Sequence, residues 1–361
     1  MTSAATTAAA PRHRRAFRTQ RNVVLFGGLL LALVTMAALA AGVGAAGIPL
    51  QRLPAALGLA EARDAALVAR DQLVLWSIRL PRIAMTMIVG ALLAAGGTIM
   101  QGLFRNPLAD PALVGVSSGG ALAAATVIVI GERVTAGVAL PFALLPPAAF
   151  AGSLVTALLL HAIATRGGRT SIAIFLLGGL AIAALANATL GLLVFIADDR
   201  QLRDITFWML GSLGGATWGK TAILAPFLVA LVLAIPFIAR GLDLIVLGEA
   251  EAFHMGVEVE RLKRMSILLV SAMAGAAVSF AGVIGFVGIV VPHLLRMAIG
   301  PGHRRLLPAS ILVGALLLLG ADTVARTIAA PAEVPIGVLT AVVGAPFFLA
   351  LLLRSRGFAG L

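Results

Sequence analysis

The chain has 361 residues, of which 60% are hydrophobic and 12% are charged, and it carries a net charge of +12. Soluble domains are usually about 45–50% apolar and about 25% charged, so this composition excludes an ordinary soluble enzyme, a disordered chain and a nucleic-acid-binding domain. The sequence contains no cysteine, which also excludes disulfides, thiolate metal sites and Cys-ligated iron–sulfur clusters.

Ten apolar segments predict membrane-spanning helices, because a bilayer core of about 30 Å needs roughly 20 residues per helix. Residues 265–295 carry no Asp, Glu, Lys or Arg and are too many for one helix, so we divide them into two short helices that meet near Gly282 and Gly285. The predicted fold class is therefore an all-α membrane protein with about ten transmembrane helices. Spans one to ten are predicted at 23–46, 83–104, 111–131, 142–165, 170–197, 221–239, the two halves of 265–295, 306–328 and 334–353.

Basic residues set the expected orientation. With the N-terminus in the cytoplasm, 17 of the 27 Lys and Arg residues lie on the inner side, in the sense of the positive-inside rule. An even number of spans then puts both termini in the cytoplasm, with a basic tail at 1–22, a membrane domain at 23–354 and a C-terminal tail at 355–361. The first tail is rich in Ala, Thr and Arg, which also fits a mitochondrial presequence, although we favour a cytosolic tail before an anchor helix.

Two hydrophilic segments interrupt the spans. Residues 49–77 are expected on the outer side, with a short surface helix. Residues 240–264 are expected on the inner side, where apolar and charged residues alternate at helical spacing and Gly248 and Gly256 are turn signals. This pattern predicts two short amphipathic helices. The segment is either a solvated loop or a docking surface, and its length and apolar content favour docking.

One acidic residue is expected at membrane depth. Asp322 lies near the outer end of span nine, and an intramembrane acid indicates either a proton relay or an ion pair. Arg326 follows four residues later on the same helix face, which favours the ion pair. The sequence has no metal-ligand spacing and no nucleophile–base arrangement, so it predicts no catalytic residues, no metal site and no cofactor of its own.

A phosphate-binding pattern occurs once, as GGATWGKT at 214–221. In nucleotide-binding proteins this pattern joins a strand to a helix within a soluble domain. Here it lies between two predicted spans on the outer side, so we interpret the match as a coincidence.

Four stretches are more specific than general membrane physics. They cover residues 79–122, 207–218 (FWMLGSLGGATW), 285–296 (GFVGIVVPHLLR) and 318–354. Together they resemble the FecCD-type permeases, the membrane subunits of ABC importers for iron chelates, haem and cobalamin. The resemblance extends from about residue 25 to the end of span ten.

The resemblance implies a type II ABC importer permease fold in a bacterial inner membrane. It also implies a homodimer with a central pathway, two cytoplasmic ATP-binding subunits that hold the ATP and Mg²⁺, and a periplasmic substrate-binding protein. Its cargo would be haem or another iron chelate, with no role for nucleic acid.

The resemblance also assigns roles to individual residues. Arginines on the outer side would bind acidic residues of the binding protein, with membrane anchoring as the alternative. Residues after span two and before span five would line a cytoplasmic gate, with helix capping as the alternative. Part of 241–264 would contact the ATPase. The binding-protein residues are Arg79, Arg82 and Arg326; the gate residues are Asn106, Leu108, Thr170 and Ser171; the ATPase-contact residues are Gly248, Glu249, Ala250 and Gly256.

The cargo is the least determined feature. QGLFRNPLADP at 101–111 and FWMLGSLGGATW at 207–218 are most similar to the haem-transporting branch, so haem is the expected cargo. Ferric siderophore or cobalamin import by the same mechanism is the first alternative. A proton-coupled carrier that works without an ATPase is the second.

Overall fold

The computed structural model describes residues 12–44, 47–60, 64–111, 115–131 and 141–356. Within these ranges seven helices are long and apolar enough to cross a membrane, and three shorter apolar helices stand where spans three, eight and ten are predicted. The all-α membrane fold is therefore confirmed. The helices of spans one to ten are Arg12–Gly42, Leu80–Leu103, Val116–Thr126, Pro141–Ala164, Ile172–Ile196, Trp218–Ile245, Val259–Ala281, Val287–Ile299, His303–Ala325 and Ile336–Arg356.

Short-range signals fix several helix ends. Span six begins after Thr217, whose hydroxyl accepts the Lys220 N–H at 3.3 Å. An additional helix, Asp199–Leu210, begins with a capping box between Asp198 and Gln201. The predicted break after span seven is present, because the helix ends at Ala281 before Gly282, whose φ of +69° is unfavourable for residues with a side chain.

The segment before span two differs from its prediction. A helix does form at Ala65–Val74, but it continues through one wider turn, Leu75–Arg79, directly into span two. This helix is thus continuous with span two, while a separate short helix, Leu53–Ala56, lies earlier in the segment. The predicted segment also includes residues 61–63, which lie outside the described residues.

The inner segment at 240–264 is shorter than predicted. Span six continues to Ile245, because Leu242 and Ile245 are buried in the core and prolong its apolar face. Span seven already begins at Val259. The connection therefore shrinks to residues 246–258 and contains one short helix, Glu249–His254, where two were predicted. We call Glu249–His254 the loop helix.

Span two is the central helix of the fold. In the most apolar stretch of span two and its N-terminal extension, 83% of the stretch is buried within the chain. The corresponding share is only 22% in span five and in span six. Glycines allow its neighbours to approach closely: Gly90 packs against Gly314 of span nine, and Gly97 packs against Gly288 of span eight. Span two therefore connects the two ends of the helix bundle through closely packed backbone. We call these ends outer and inner after the orientation that the basic residues predict.

Candidate functional site

A buried ion pair joins spans two and nine at their outer ends. Arg82 donates from Nε to both carboxylate oxygens of Asp322 at 3.1 Å and from Nη2 to Oδ1 at 2.9 Å. It also donates from Nη1 to Glu333 at 2.8 Å. Only 1% of the Asp322 side chain is exposed, so the carboxylate relies on this partner in place of water.

Arg326, the partner predicted for Asp322, lies farther from this carboxylate than Arg82 does. Its Nε lies 3.6 Å from Asp322 Oδ2. Its Nη2 donates to the carbonyl of Ala40 at 2.8 Å, and Arg79 donates to the neighbouring carbonyl of Ala41. These carbonyls belong to the last turn of span one, where positive charge is favourable.

The three outer arginines are not exposed, in contrast to the sequence-based expectation. Their residues are 4%, 8% and 7% exposed for Arg79, Arg82 and Arg326. The physical reason is that each guanidinium group binds carboxylates or helix-end carbonyls within the chain. A cavity of about 170 Å³ lies beside Arg82, Asp322 and Glu333.

The predicted gate residues belong to two connections at the inner end. Asn106 follows span two, and its side-chain oxygen accepts the N–H of Leu108 at 2.9 Å. Thr170 ends a two-stranded hairpin, Thr165–Arg166 paired with Arg169–Thr170, that joins spans four and five. Ser171 follows and caps span five, although its bond to the Ile174 N–H is long at 3.4 Å.

A lysine that sequence reasoning missed connects this hairpin to the loop helix. Lys263, near the start of span seven, donates to Glu249 at 2.7 Å, to Glu260 at 3.1 Å and to the carbonyl of Thr170 at 3.2 Å. Glu260 in turn accepts the N–H of Thr170 at 2.9 Å. The predicted gate residue Thr170 and the predicted ATPase-contact residue Glu249 thus share one ammonium group.

The same residues line an open cleft of about 1,090 Å³ at the inner end. Thr170 and Ser171 form part of its wall, and Glu249 and Ala250 form another part. Arg105, which directly precedes the predicted gate residue Asn106, also lines it. The structure therefore brings the hairpin and the loop helix to one surface.

Two glycines shape the loop helix. Gly248 precedes it with φ of +130°, and Gly256 follows it with φ of +84°. Both values favour glycine. Their place in the fold is therefore at the turns that bound the helix, while Ala250 lines the cleft.

Two further polar contacts near the inner end were not predicted. His303 Nδ1 lies 2.8 Å from Asp243 Oδ1, which joins spans nine and six. Arg296 of span eight donates to the side chain of Gln101 of span two. The partners are separated by 60 and 195 residues respectively, so helical periodicity carries no signal of either contact.

Comparison with known proteins assigns this architecture. The FecCD transport family model matches residues 29–354. Over 289 residues the chain is 47% identical to the hemin transport system permease protein HmuU of Yersinia pestis, covering 78% of this chain and 83% of the relative. Over 285 residues it is 45% identical to the cobalamin import system permease protein BtuC of Halobacterium salinarum, covering 79% of this chain and 74% of the relative.

A solved structure agrees with these relatives. It is a transporter assigned to the metal-chelate ABC type, in an inward-facing conformation, and it superposes with a TM-score of 0.79 at 33% sequence identity. The superposition covers 92% of this chain and 99% of the other. The resemblance seen in the sequence is thereby confirmed: the chain belongs to the FecCD transport family and is the membrane-spanning permease subunit of an ABC importer.

Proposed function

We propose that this permease imports haem across a bacterial inner membrane. The observation that carries the proposal is its 47% identity to a hemin transport permease over most of both chains. The haem-like stretches at 101–111 and 207–218 support it. The 45% identity to a cobalamin permease makes cobalamin the competing cargo, because the two values are close.

The mechanism that we propose is alternating access in a homodimer with both termini in the cytoplasm. Two partner subunits bind ATP and Mg²⁺ and receive the loop helix through Glu249 and Ala250, with Gly248 and Gly256 as its turns. Closure of the ATPases moves the loop helices. The gate residues Asn106, Leu108, Thr170 and Ser171 then separate or meet. The common cleft of Thr170, Ser171, Glu249 and Ala250 supports this coupling.

A transport assay tests the cargo. Permease, ATPase and binding protein are reconstituted in proteoliposomes, and uptake of haem is followed with and without an excess of cobalamin or ferric siderophore. We expect ATP-dependent haem uptake that needs all three components and is unaffected by the competitors. Uptake of cobalamin in place of haem would contradict the cargo but keep the importer, whereas uptake without ATPase would contradict the importer mechanism.

We also propose that a periplasmic binding protein docks at the outer end, above Arg79, Arg82 and Arg326. Because these arginines are buried, they serve docking by holding the end of span one and the segment around Glu333 in place. Direct pairing with acidic residues of the binding protein would require them to leave their present partners.

The double substitution Arg79→Glu with Arg82→Glu tests this arrangement. It places new carboxylates beside Asp322 and beside the carbonyls of span one, so we expect a lower melting temperature together with weaker docking. Both are measured on the assembled transporter in nanodiscs, with the purified binding protein as ligand. Weaker docking at an unchanged melting temperature would instead show that the arginines contact the binding protein directly.

A further inference from the structure

We propose that Lys263 is the positioning residue that transmits movement of the loop helix to the hairpin before span five. The inference rests on the proposed function, in that it assumes an ATPase that moves the loop helix. It goes further by naming the side chain through which that movement reaches Thr170 and Ser171.

The first argument is the way in which the ammonium group is satisfied. Lysine has three N–H donors, and all three are used, by Glu249 of the loop helix, Glu260 of span seven and Thr170 of the hairpin. Each acceptor belongs to a different element. Lys263 and Glu260 both belong to span seven, so the elements joined through the ammonium group are the loop helix and the hairpin. Displacing the loop helix breaks a charge-assisted hydrogen bond unless the ammonium group follows.

The second argument is burial. Only 3% of the Lys263 side chain is exposed, whereas the exposed fractions of the Glu249 and Glu260 side chains are 40% and 31%. Water can solvate the carboxylates if they separate, but it reaches the ammonium group poorly. Separation of Lys263 from its acceptors is therefore unfavourable, because an unpaired buried charge costs free energy.

The third argument is that the hairpin is hydrogen-bonded through both backbone polar groups of Thr170. The carbonyl of Thr170 accepts from Lys263, and its N–H donates to Glu260 at 2.9 Å. Within the hairpin the hydroxyls of Thr165 and Thr170 lie 3.0 Å apart, and the Ser171 N–H donates to Ala164 at 3.0 Å. A shift imposed at Thr170 therefore carries Ser171 and the start of span five with it.

An exposed ion pair on the same helix shows the contrast. Arg261 lies 3.5 Å from Glu258, with side chains 72% and 73% exposed. A solvated pair of this kind contributes little and can open without consequence. It also lies within three residues of sequence, so it does not connect the loop helix to the hairpin.

The experiment uses spin labels, for which the natural absence of cysteine is an advantage. Arg169→Cys labels the hairpin and Phe253→Cys labels the loop helix, each at an exposed residue. In the homodimer each substitution yields one pair of labels. Distances are measured on the full complex with its ATPase subunits in nanodiscs, before and after trapping with ATP and vanadate, in wild-type and Lys263→Met backgrounds.

We expect both label pairs to change distance on trapping in the wild-type background. In the Lys263→Met background the loop-helix pair should still change, while the change of the hairpin pair is lost. ATP-dependent uptake should fall by about tenfold, the size of effect expected for losing one charged hydrogen-bond partner. Hydrolysis of ATP should continue, so that it is no longer coupled to uptake.

Other outcomes overturn the inference. A hairpin response that persists in Lys263→Met would show that the movement takes another route. Loss of both responses in that variant would show that Lys263 supports ATPase docking and not transmission. If neither label responds in the wild-type background, the proposed ATP-driven coupling itself fails, which is a distinct result.

Two further variants guard against a merely structural effect. Lys263→Arg retains the charge and several donors, so we expect it to restore part of the hairpin response and of uptake. Arg264→Met removes a positive charge from the next residue, which is exposed, and should leave both responses unchanged. If Lys263→Arg assembles with the ATPase but behaves like Lys263→Met, a positively charged hydrogen-bond donor at residue 263 is not what transmits the movement.

Discussion

Gly97→Ala is expected to remove most of the correctly folded permease. A Cβ atom at residue 97 would lie 1.9 Å from the carbonyl oxygen of Gly288 and 2.5 Å from its carbonyl carbon. The obstacle is backbone, so no side chain can rotate away, and spans two and eight would have to move apart. Overpacking of a core usually costs about 1–3 kcal/mol, and a backbone clash in the central helix belongs at or above the upper end of that range.

The carbonyl of Gly288 also accepts a hydrogen bond, which makes the site less tolerant of an added methyl group. Gln101, one turn further along span two, donates to the Gly288 carbonyl at 3.1 Å. Separation of the helices to admit a methyl group at residue 97 would therefore also break this buried hydrogen bond. Loss of a buried bond adds about 1–3 kcal/mol when the acceptor is left unpaired.

The measurement is the yield of monodisperse permease in detergent together with its melting temperature. The matched control is Gly27→Ala in span one, where an added Cβ meets nothing within 4 Å. Alanine favours a helix more than glycine does, so the control should fold at least as well as the wild type. A Gly97→Ala protein with wild-type yield and melting temperature would mean that the two helices do not approach as closely as described.

The predictability of this contact illustrates what sequence alone provides. The small residues at 90, 94 and 97 predict close packing of span two, and the glycines after residue 281 predict the break before span eight. Neither pattern names a partner. That Gly97 meets Gly288 and that Gly90 meets Gly314 follows only from the three-dimensional arrangement of three helices.

In the candidate site too, the sequence predicts the elements but not the contacts between distant residues. Apolar segment length predicts all ten spans, because the bilayer imposes it. The resemblance to FecCD permeases indicates Thr170 and Glu249, but not Lys263, whose ammonium group contacts both residues in the structure. Lys263 is 93 residues from Thr170 in the sequence, so no local pattern indicates this contact. The predicted inner connection is too long because its residues were assigned to two separate amphipathic helices, while buried Leu242 and Val259 continue the adjoining helices.

Asp322, predicted to lie at membrane depth, is buried within the chain, and its principal partner differs from the predicted one. Helical spacing pointed to Arg326, four residues away, whereas the shortest contacts come from Arg82, 240 residues away. A local pattern can only nominate a local partner. The distinction matters for function, because the ion pair determines how Asp322 responds to substitution.

Asp322→Leu is expected to be strongly destabilising. It leaves Arg82 charged and buried, with Nε and Nη2 deprived of their acceptor and only the bond from Nη1 to Glu333 retained. Removing one partner of a buried ion pair typically costs about 3–5 kcal/mol. We expect a large fall in the melting temperature of the purified permease and a corresponding loss of uptake.

The double variant Asp322→Leu with Arg82→Met separates structure from proton transport. Replacing both members of a buried pair by apolar residues is often neutral, so we expect most of the lost melting temperature to return, less the contribution of Arg326, which then lacks the carboxylate 3.6 Å away. Arg326 keeps its bond to Ala40, which limits that loss. Uptake driven by ATP should return with the fold to the extent that the variant still docks the binding protein, because Arg82→Met also releases Glu333.

A proton-coupled carrier gives the opposite result. If Asp322 carried a proton during transport, no apolar replacement could restore uptake, however well the double variant folds. The ion pair favours a structural role, because Arg82 donates three hydrogen bonds to this carboxylate and thereby joins span two to span nine. A double variant that regains its melting temperature, assembles with its ATPase, docks its binding protein and still fails to import haem would contradict the structural role of Asp322.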